Sequence, residues 1–389
     1  MDVKTAVSRR GFMGGAAAAL GYLGIHPGDL WAQTRTGAPR SRPSTADYDG
    51  FAKLANNENP YGPPESVMKA MTEAFKYSNR YGYPDGGLVQ EIAAHHGVKP
   101  ENVLLGAGSG EILQVVGTTF LQDGRKVIGV EPSYGSVYQH ASGIKADAIK
   151  LALRDDYTQD IPQMILAVKA NYRDLGFVYL CSPNNPTGLA VSKQDVKLLL
   201  DSLPPDLPVL IDEAYHHFVD DPSYATSVPY VLEGRPVIVA RTFSKISALA
   251  GMRLGYAIAP KFIVDQMRPY AVGSINALVK WGGVAALKDT AAQEQVKRVN
   301  RELRDKTTAE LKALGFTVIP SQTNFFMVHV KRHVVLLAEE FRKKGVLVGR
   351  PFPPMTEHLR VSVGTADEMS RFMVAFKEIF GSARNTSAQ

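Results

Sequence analysis

Short apolar runs closed by turn residues, with helically spaced stretches between them, dictate most of what this chain can fold into. Lys126–Val130, Phe177–Cys181, Val209–Ile211 and Val237–Ala240 are almost continuously hydrophobic. A strand with both faces buried reads this way, whereas a strand wetted on one face alternates. Tyr134–Ala141, Ile161–Asn171 and Lys193–Ser202 lie between them with helical spacing, and Asn102–Leu105 followed by Ser109–Phe120 repeats the alternation. Glu65–Tyr77 carries an apolar stripe at Val67, Met68, Met71 and Phe75, which predicts a further helix. The pattern predicts an α/β fold, a mostly parallel sheet with helices on both faces.

Beyond this region the spacing changes. A long polar-patterned helix is predicted over Ala291–Leu314, ending at Gly315. Strands at Thr317–Ile319, Phe325–Val328 and Leu359–Val363 follow, with helices at Val334–Lys344 and Asp367–Phe380. They predict a second, smaller C-terminal domain. The expected organisation is a signal segment at 1–32, a linker and N-terminal arm at 33–62, a large domain at 63–285 and a small domain at 286–389.

The first segment is of another kind. Ser8-Arg9-Arg10-Gly11-Phe12-Met13 precedes Gly14–Ile25, a small, uncharged, apolar run. Paired arginines before a weakly hydrophobic stretch have the pattern of a twin-arginine export signal, which predicts a periplasmic destination. The run is too short to span a bilayer, so no permanent anchor is expected.

Composition excludes several classes. The net charge of +6 is spread over the chain without a basic block, so nucleic acid is not an expected partner. One cysteine, Cys181, permits neither an internal disulfide nor a thiolate metal site. His95-His96 and His216-His217 are adjacent pairs whose side chains are expected to diverge, on the surface or lining a cleft; no metal site is expected from them.

Four loops at strand ends carry the chemistry, since ligands of open parallel sheets bind beyond the carboxyl ends of the strands. Gly106-Ala107-Gly108-Ser109-Gly110 closes a strand and opens a helix, as a phosphate cradle does. Thr242-Phe243-Ser244-Lys245 leads to Gly251-Met252-Arg253-Leu254-Gly255-Tyr256. Buried there, Lys245 would lose its charge and become nucleophilic, while Ser244 and Arg253 would bind a phosphate. Asp212-Glu213-Ala214-Tyr215 puts a carboxylate at a strand end, where Asp212 either caps a helix or holds a proton on a pyridine nitrogen. Ser182-Pro183-Asn184-Asn185-Pro186-Thr187-Gly188 fixes a turn that aims the Asn185 amide.

SPNNPTG, DEAY, TFSKISALAGMRLGY and LRVSVGT, in this order, resemble the fold-type-I pyridoxal-phosphate aminotransferases of class I/II, and within them the histidinol-phosphate aminotransferase group. The resemblance runs from Leu54 to the last helix. It implies the aspartate aminotransferase-like fold: a large domain with a mostly parallel, seven-stranded-type sheet and a smaller α+β C-terminal domain. It implies pyridoxal 5′-phosphate as cofactor, held as an aldimine on Lys245, with Asp212 on the ring nitrogen and Asn185 and Tyr215 on the 3-oxygen. Tyr134 would stack on the ring. Ser109, Gly110, Ser244 and Arg253 would hold the phosphate, and Tyr83, with Tyr81 as its rival, would reach the partner subunit's cofactor in a homodimer. Arg360 would take the substrate carboxylate, and Asn59 and Tyr61, in Asn56-Asn57-Glu58-Asn59-Pro60-Tyr61-Gly62, would touch substrate. The group also implies an arginine after Gly345-Val346-Leu347-Val348, where this chain has Gly349 and then Arg350. The expected reaction moves an amino group between an L-amino acid and a 2-oxo acid. The alternatives are another reaction on the same fold, such as decarboxylation of an amino acid phosphate, or a non-catalytic cofactor-binding protein.

Overall fold

The computed structural model describes residues 45–82 and 84–386. Thr45–Asp49 is a short helix, and from Ala52 onward the chain forms one compact unit. The twin-arginine segment lies outside the described residues, as does Tyr83. Among the described residues no helix is long and apolar enough to cross a membrane.

Strands β1 (Ala52–Leu54), β2 (Val103–Gly106), β3 (Lys126–Glu131) and β4 (Ala148–Ala152) come first. They are followed by β5 (Leu175–Cys181), β6 (Val209–Asp212), β7 (Val237–Thr242) and β8 (Gly255–Ile258). The last are β9 (Thr317–Ile319), β10 (Phe325–His329), β11 (Val346–Val348) and β12 (His358–Ser362). A seven-stranded sheet has the order β2-β8-β7-β6-β5-β3-β4, and only β8 runs against its neighbours. The four apolar runs of the sequence are its strands β3, β5, β6 and β7, and every position of β5 to β8 is buried. Two of its strands escaped the pattern. At the sheet edge β4 keeps its charged Lys150 exposed to water, which breaks the apolar run. The other, β8, begins inside the glycine-rich motif, where the turn residues mask it.

Alternation divides the sheet's side chains between two cores. Phe177, Tyr179, Cys181, Leu210, Ile238 and Ala240 pack on one face, and Val178, Leu180, Val209, Ile211, Val237 and Val239 on the other. Asp212 follows Leu210 onto the first face by the same period. The C-terminal part has its own antiparallel sheet, β12-β10-β9. There β1 of the N-terminal arm pairs in parallel with β11. A third core holds this layer, with Leu54, Phe326, Phe341, Phe372 and Phe376 fully buried. Each such side chain stabilises the fold by about 1.5–3 kcal/mol over its exposed state. The helix Thr290–Ala313 leads into this layer, and just beyond it Gly315 turns the chain at a φ of +87°.

Behind the end of β6 and β7 sits a buried ionic clasp. Arg241 and Glu213 are 2.6 Å apart with almost no exposed side-chain surface. Glu213 also accepts from the Ser227 amide (2.7 Å) and the Thr226 hydroxyl (3.0 Å), so no lone pair faces an apolar wall unpaired. Arg241 reaches the His216 ring. Here the expectation for adjacent histidines fails. After Asp212 the chain leaves strand geometry, and in the 3-10 turn His216–Phe218 the rings of His216 and His217 face each other at 3.6 Å, half-buried. Across the way, His96 meets the Tyr256 hydroxyl at 2.8 Å. Among the described residues no cluster is placed to hold a metal ion.

Removing one charge of a buried pair strands the other, so Glu213→Gln is expected to lower stability by roughly 3–5 kcal/mol in urea unfolding. An unchanged midpoint would show that the clasp carries no energy. Burial and the nearby Arg241 bring His96 down from 6.5 to about 3 and hold His216 and His217 well below their ordinary value. Between 6.5 and about 3 the unfolded chain then binds more protons at His96 than the native one. Stability is therefore complete above pH 6.5 and drains as pH falls through this window. Urea midpoints measured from pH 7.5 down to 5 should drop, and His96→Gln should flatten the slope.

Candidate active site

The strand ends of the first face converge on one pocket. Asp212, the last residue of β6, is 3% exposed, and its Oδ1 accepts from the Ala214 amide at 3.1 Å. Burial pushes this carboxyl up to about 6, with the Ala214 bond and Lys245 opposing the rise. Among the described residues Lys245 is the cation that acts on it. Such a group favours a partner that brings a positive N–H, as a pyridinium does. Lys245 follows β7 with its Nζ 3.3 Å from the Asn56 carbonyl and 5.6 Å from the centre of the Tyr215 ring. Burial, then Arg360, lowers its ammonium to about 8, so roughly a tenth of it is the neutral, nucleophilic amine at pH 7, far more than for an ordinary lysine.

Asn185 and Tyr215 flank the same space. The SPNNPTG turn is rigid because Asn184 braces it. Its Oδ1 accepts from Ser133 (2.9 Å), and its Nδ2 donates to the Pro132 carbonyl (3.2 Å). Asn185 is thereby free to face the pocket, where its Oδ1 accepts from Arg360 Nη1 at 2.7 Å. Tyr215 packs edge-on against Phe325 at 5.1 Å. Tyr134 is 38% exposed, its backbone carbonyl accepts from the Tyr179 hydroxyl at 3.2 Å, and burial, then Asp212, raises its phenol above the ordinary value while Arg253 opposes the rise.

The helix Ser109–Phe120 starts at this pocket with no side-chain cap, leaving the first amides, at Ser109 and Gly110, to an outside acceptor. Arg253, in left-handed backbone at φ +60°, donates to the Ala250 (2.8 Å) and Ala107 (3.3 Å) carbonyls. A Cβ on Gly108 would stand 2.3 Å from Arg253 Nη2, and the residue also has φ +82°, so glycine alone fits. Ser244 is oriented by Thr242, which donates to its Oγ at 2.9 Å. Helix amides, a guanidinium and a hydroxyl together suit a phosphate.

Arg360 closes the pocket from β12. It is 7% exposed, and besides Asn185 its Nη2 donates to the Ala55 carbonyl at 2.6 Å. Its Nε has no partner, and its guanidinium lies 4.6 Å from the Phe352 ring. A buried guanidinium with an unpaired N–H is a donor waiting for an acceptor. Burial lowers this group to about 10, still charged at neutral pH. Asn59 is bound to the lysine loop, donating to the Ile246 carbonyl at 2.9 Å, while Tyr61 stands 49% exposed and its amide donates to Asn59 Oδ1 at 3.1 Å.

Sequence reasoning missed Asn57, Phe352 and Ser362. Asn57 lies in the quoted Asn-Asn-Glu-Asn segment but carries no signal of its own, and the other two reach the site only through the fold of the C-terminal layer. Gly349 has a packing reason: a Cβ there would meet the Arg360 carbonyl at 2.7 Å. Arg350 instead stacks on Phe352 at 4.3 Å.

Residues 50–376 match the family model for class I and II aminotransferases, and the chain belongs to that family. It is similar to the histidinol-phosphate aminotransferase of Moorella thermoacetica, 37% identical over 336 residues, 84% of this chain and 85% of that one. A solved structure provisionally named histidinol-phosphate aminotransferase, from Erwinia carotovora atroseptica, superposes with a TM-score of 0.82 at 30% identity, covering 87% and 98% of the two chains. The Sinorhizobium meliloti histidinol-phosphate aminotransferase, in complex with pyridoxal-5′-phosphate, shares the fold with a TM-score of 0.80 at 23% identity, covering 90% and 100%. The protein is thus a pyridoxal-phosphate-dependent aminotransferase of that group.

The cradle yields a direct prediction. Gly108→Ala should drive Arg253 out of place and weaken cofactor binding about 10- to 100-fold, the worth of a hydrogen bond to a charged group. Absorbance titration of the apoprotein with pyridoxal phosphate measures it; equal affinity in the variant and the wild type would remove the phosphate from this turn.

Proposed function

We propose that the enzyme exchanges an amino group between an L-amino acid and a 2-oxo acid, with the cofactor bound covalently through Lys245. The observation that carries this reading is the pocket itself: a desolvated lysine, a buried carboxyl and an arginine with a free N–H, gathered from three parts of the chain.

The bound cofactor supplies an electron sink for the charge left at Cα when the substrate's proton departs. Asp212 keeps a proton on the ring nitrogen. Arg360 fixes the substrate carboxylate, holding Cα in reach of Lys245. The Lys245 amine, its pKa brought down to about 8, would take the Cα proton and return it to the cofactor's C4′, two bonds from Cα. Ser109, Gly110, Ser244 and Arg253 hold the phosphate. The relatives' named substrate is not carried over, because Gly349 leaves no room for a side chain beside Arg360.

A two-fold homodimer is part of the proposal, supported by Tyr81, which its own chain leaves fully exposed. Export by the twin-arginine route is likewise proposed, on the strength of Arg9-Arg10 and the apolar run after them.

Borohydride treatment of the holoenzyme should fix the cofactor to the peptide containing Lys245. Lys245→Ala should lower turnover at least about 10²- to 10⁴-fold, the usual contribution of a proton-transferring group. Incubation with amino acids and 2-oxoglutarate should produce glutamate. Carbon dioxide without glutamate, or full turnover in Lys245→Ala, would refute the proposal.

A further inference from the structure

Behind the Tyr215 hydroxyl runs a chain of hydrogen bonds whose direction is determined. The Asn57 amide N–H donates to Ser362 Oγ at 2.8 Å. With that oxygen accepting, the serine's own hydrogen goes to Asn57 Oδ1, 3.0 Å away. The opposite end of the side-chain amide is then Nδ2, and it donates to the Tyr215 oxygen at 3.0 Å. Turning the amide over would make Ser362 Oγ accept twice, take from the serine hydrogen its Asn57 Oδ1 acceptor, and leave the amide carbonyl to take the tyrosine's proton. The backbone is tied on its other side too, since the Asn57 carbonyl accepts from Asn324 Nδ2 at 3.0 Å. Asn57 is 1% exposed, so water does not compete. It is held at φ +56°, a left-handed conformation that asparagine tolerates and most side chains resist. Strain of this kind persists where the surroundings over-determine it. The Tyr215 oxygen accepts from behind, and its own hydrogen is left for whatever lies in the pocket.

Resting on the proposed function, we infer that Asn57 is a positioning residue: its amide, aligned by Ser362, makes Tyr215 a hydrogen-bond donor to the cofactor's 3-oxygen. A donor there stabilises negative charge on that oxygen. The charge is greatest when the nitrogen joining Lys245 to the cofactor has lost its proton, so the relay favours the unprotonated link. Arg360 and Ser362 are two residues apart on β12 and share a face, so one strand both receives the substrate carboxylate and sets the tyrosine. Among the described residues, the other titratable or charged groups around the link are Asp212, Glu58, Tyr134, Cys181, Arg253 and Arg360, none of which the variants below alter.

The test is a pH titration of the absorbance of the Lys245-bound chromophore in the purified holoenzyme. Asn57→Gly keeps the left-handed backbone and deletes only the amide. It should raise the midpoint by about one pH unit, the size of a lost hydrogen bond to a charged oxygen. Asn57→Asp, which presents an acceptor to Tyr215, should raise it at least as far. In a Tyr215→Phe background, Asn57→Gly should add nothing, because both changes remove the same bond. A midpoint within about 0.2 unit of wild type in Asn57→Gly, or full additivity with Tyr215→Phe, would overturn the inference. Should Asn57→Gly fail to fold, Ser362→Ala releases the amide to turn over and is read the same way. A wild-type protein with no Lys245-bound chromophore would be a different failure, that of the proposed function.

Discussion

Arg360 is the crossing point on which the rest of the structure depends. It leaves the C-terminal layer on β12, lies 5.5 Å from the centre of the Phe325 ring and 4.6 Å from that of Phe352, and ends against Asn185 and the Ala55 carbonyl. One buried guanidinium thereby joins the small antiparallel sheet, the arm and the SPNNPTG turn of the large sheet. A guanidinium held away from water needs acceptors for its five N–H donors, and the protein satisfies only some of them. What it leaves open is suited to a carboxylate. The same desolvation that makes the arginine demanding also lowers Lys245 and raises Asp212. Binding cofactor and substrate would relieve all three, which is a physical reason for such a pocket to bind tightly and to discriminate.

The sheet explains why these groups can meet at all. Parallel strands β3, β5, β6 and β7 finish along one edge, so the residues that follow them arrive at the same place. Alternation sends Asp212 to one face, and Glu213, the first residue past the strand, turns to Arg241. That grip ties the ends of β6 and β7 together directly behind the pocket. The polar clasp and the reactive pocket are therefore two sides of one pair of strand ends. The helix start at Ser109 is brought to the pocket by β2, paired through β8 to β7.

Most of the fold was legible in the amino-acid order because burial on two faces writes a continuous apolar run. The helices Ser109–Phe120, Ile161–Asn171 and Lys193–Ser202 have the bounds their spacing predicts. What failed was local. At β4 a half-exposed edge dilutes the apolar signal, and at β8 glycines hide a strand inside a motif. At His216-His217 the rule that neighbours diverge assumes regular helix or strand, and the chain there is a tight turn.

The sequence by itself determined the chemistry, since a lysine after a strand, an acid closing another and a glycine-rich helix start are local patterns whose residue types dictate what they do. Only the tertiary structure decided how those groups are held. The Asn57 side chain reaches Tyr215 across 158 positions and Ser362 across 305, distances over which no periodicity extends. The choice of glycine at 349 rests on a clash with a residue in a neighbouring strand. A chain's order records what each short segment prefers. Which partners lie behind a hydroxyl, and hence which way its hydrogen points, is set by packing between segments that never meet until the chain has folded.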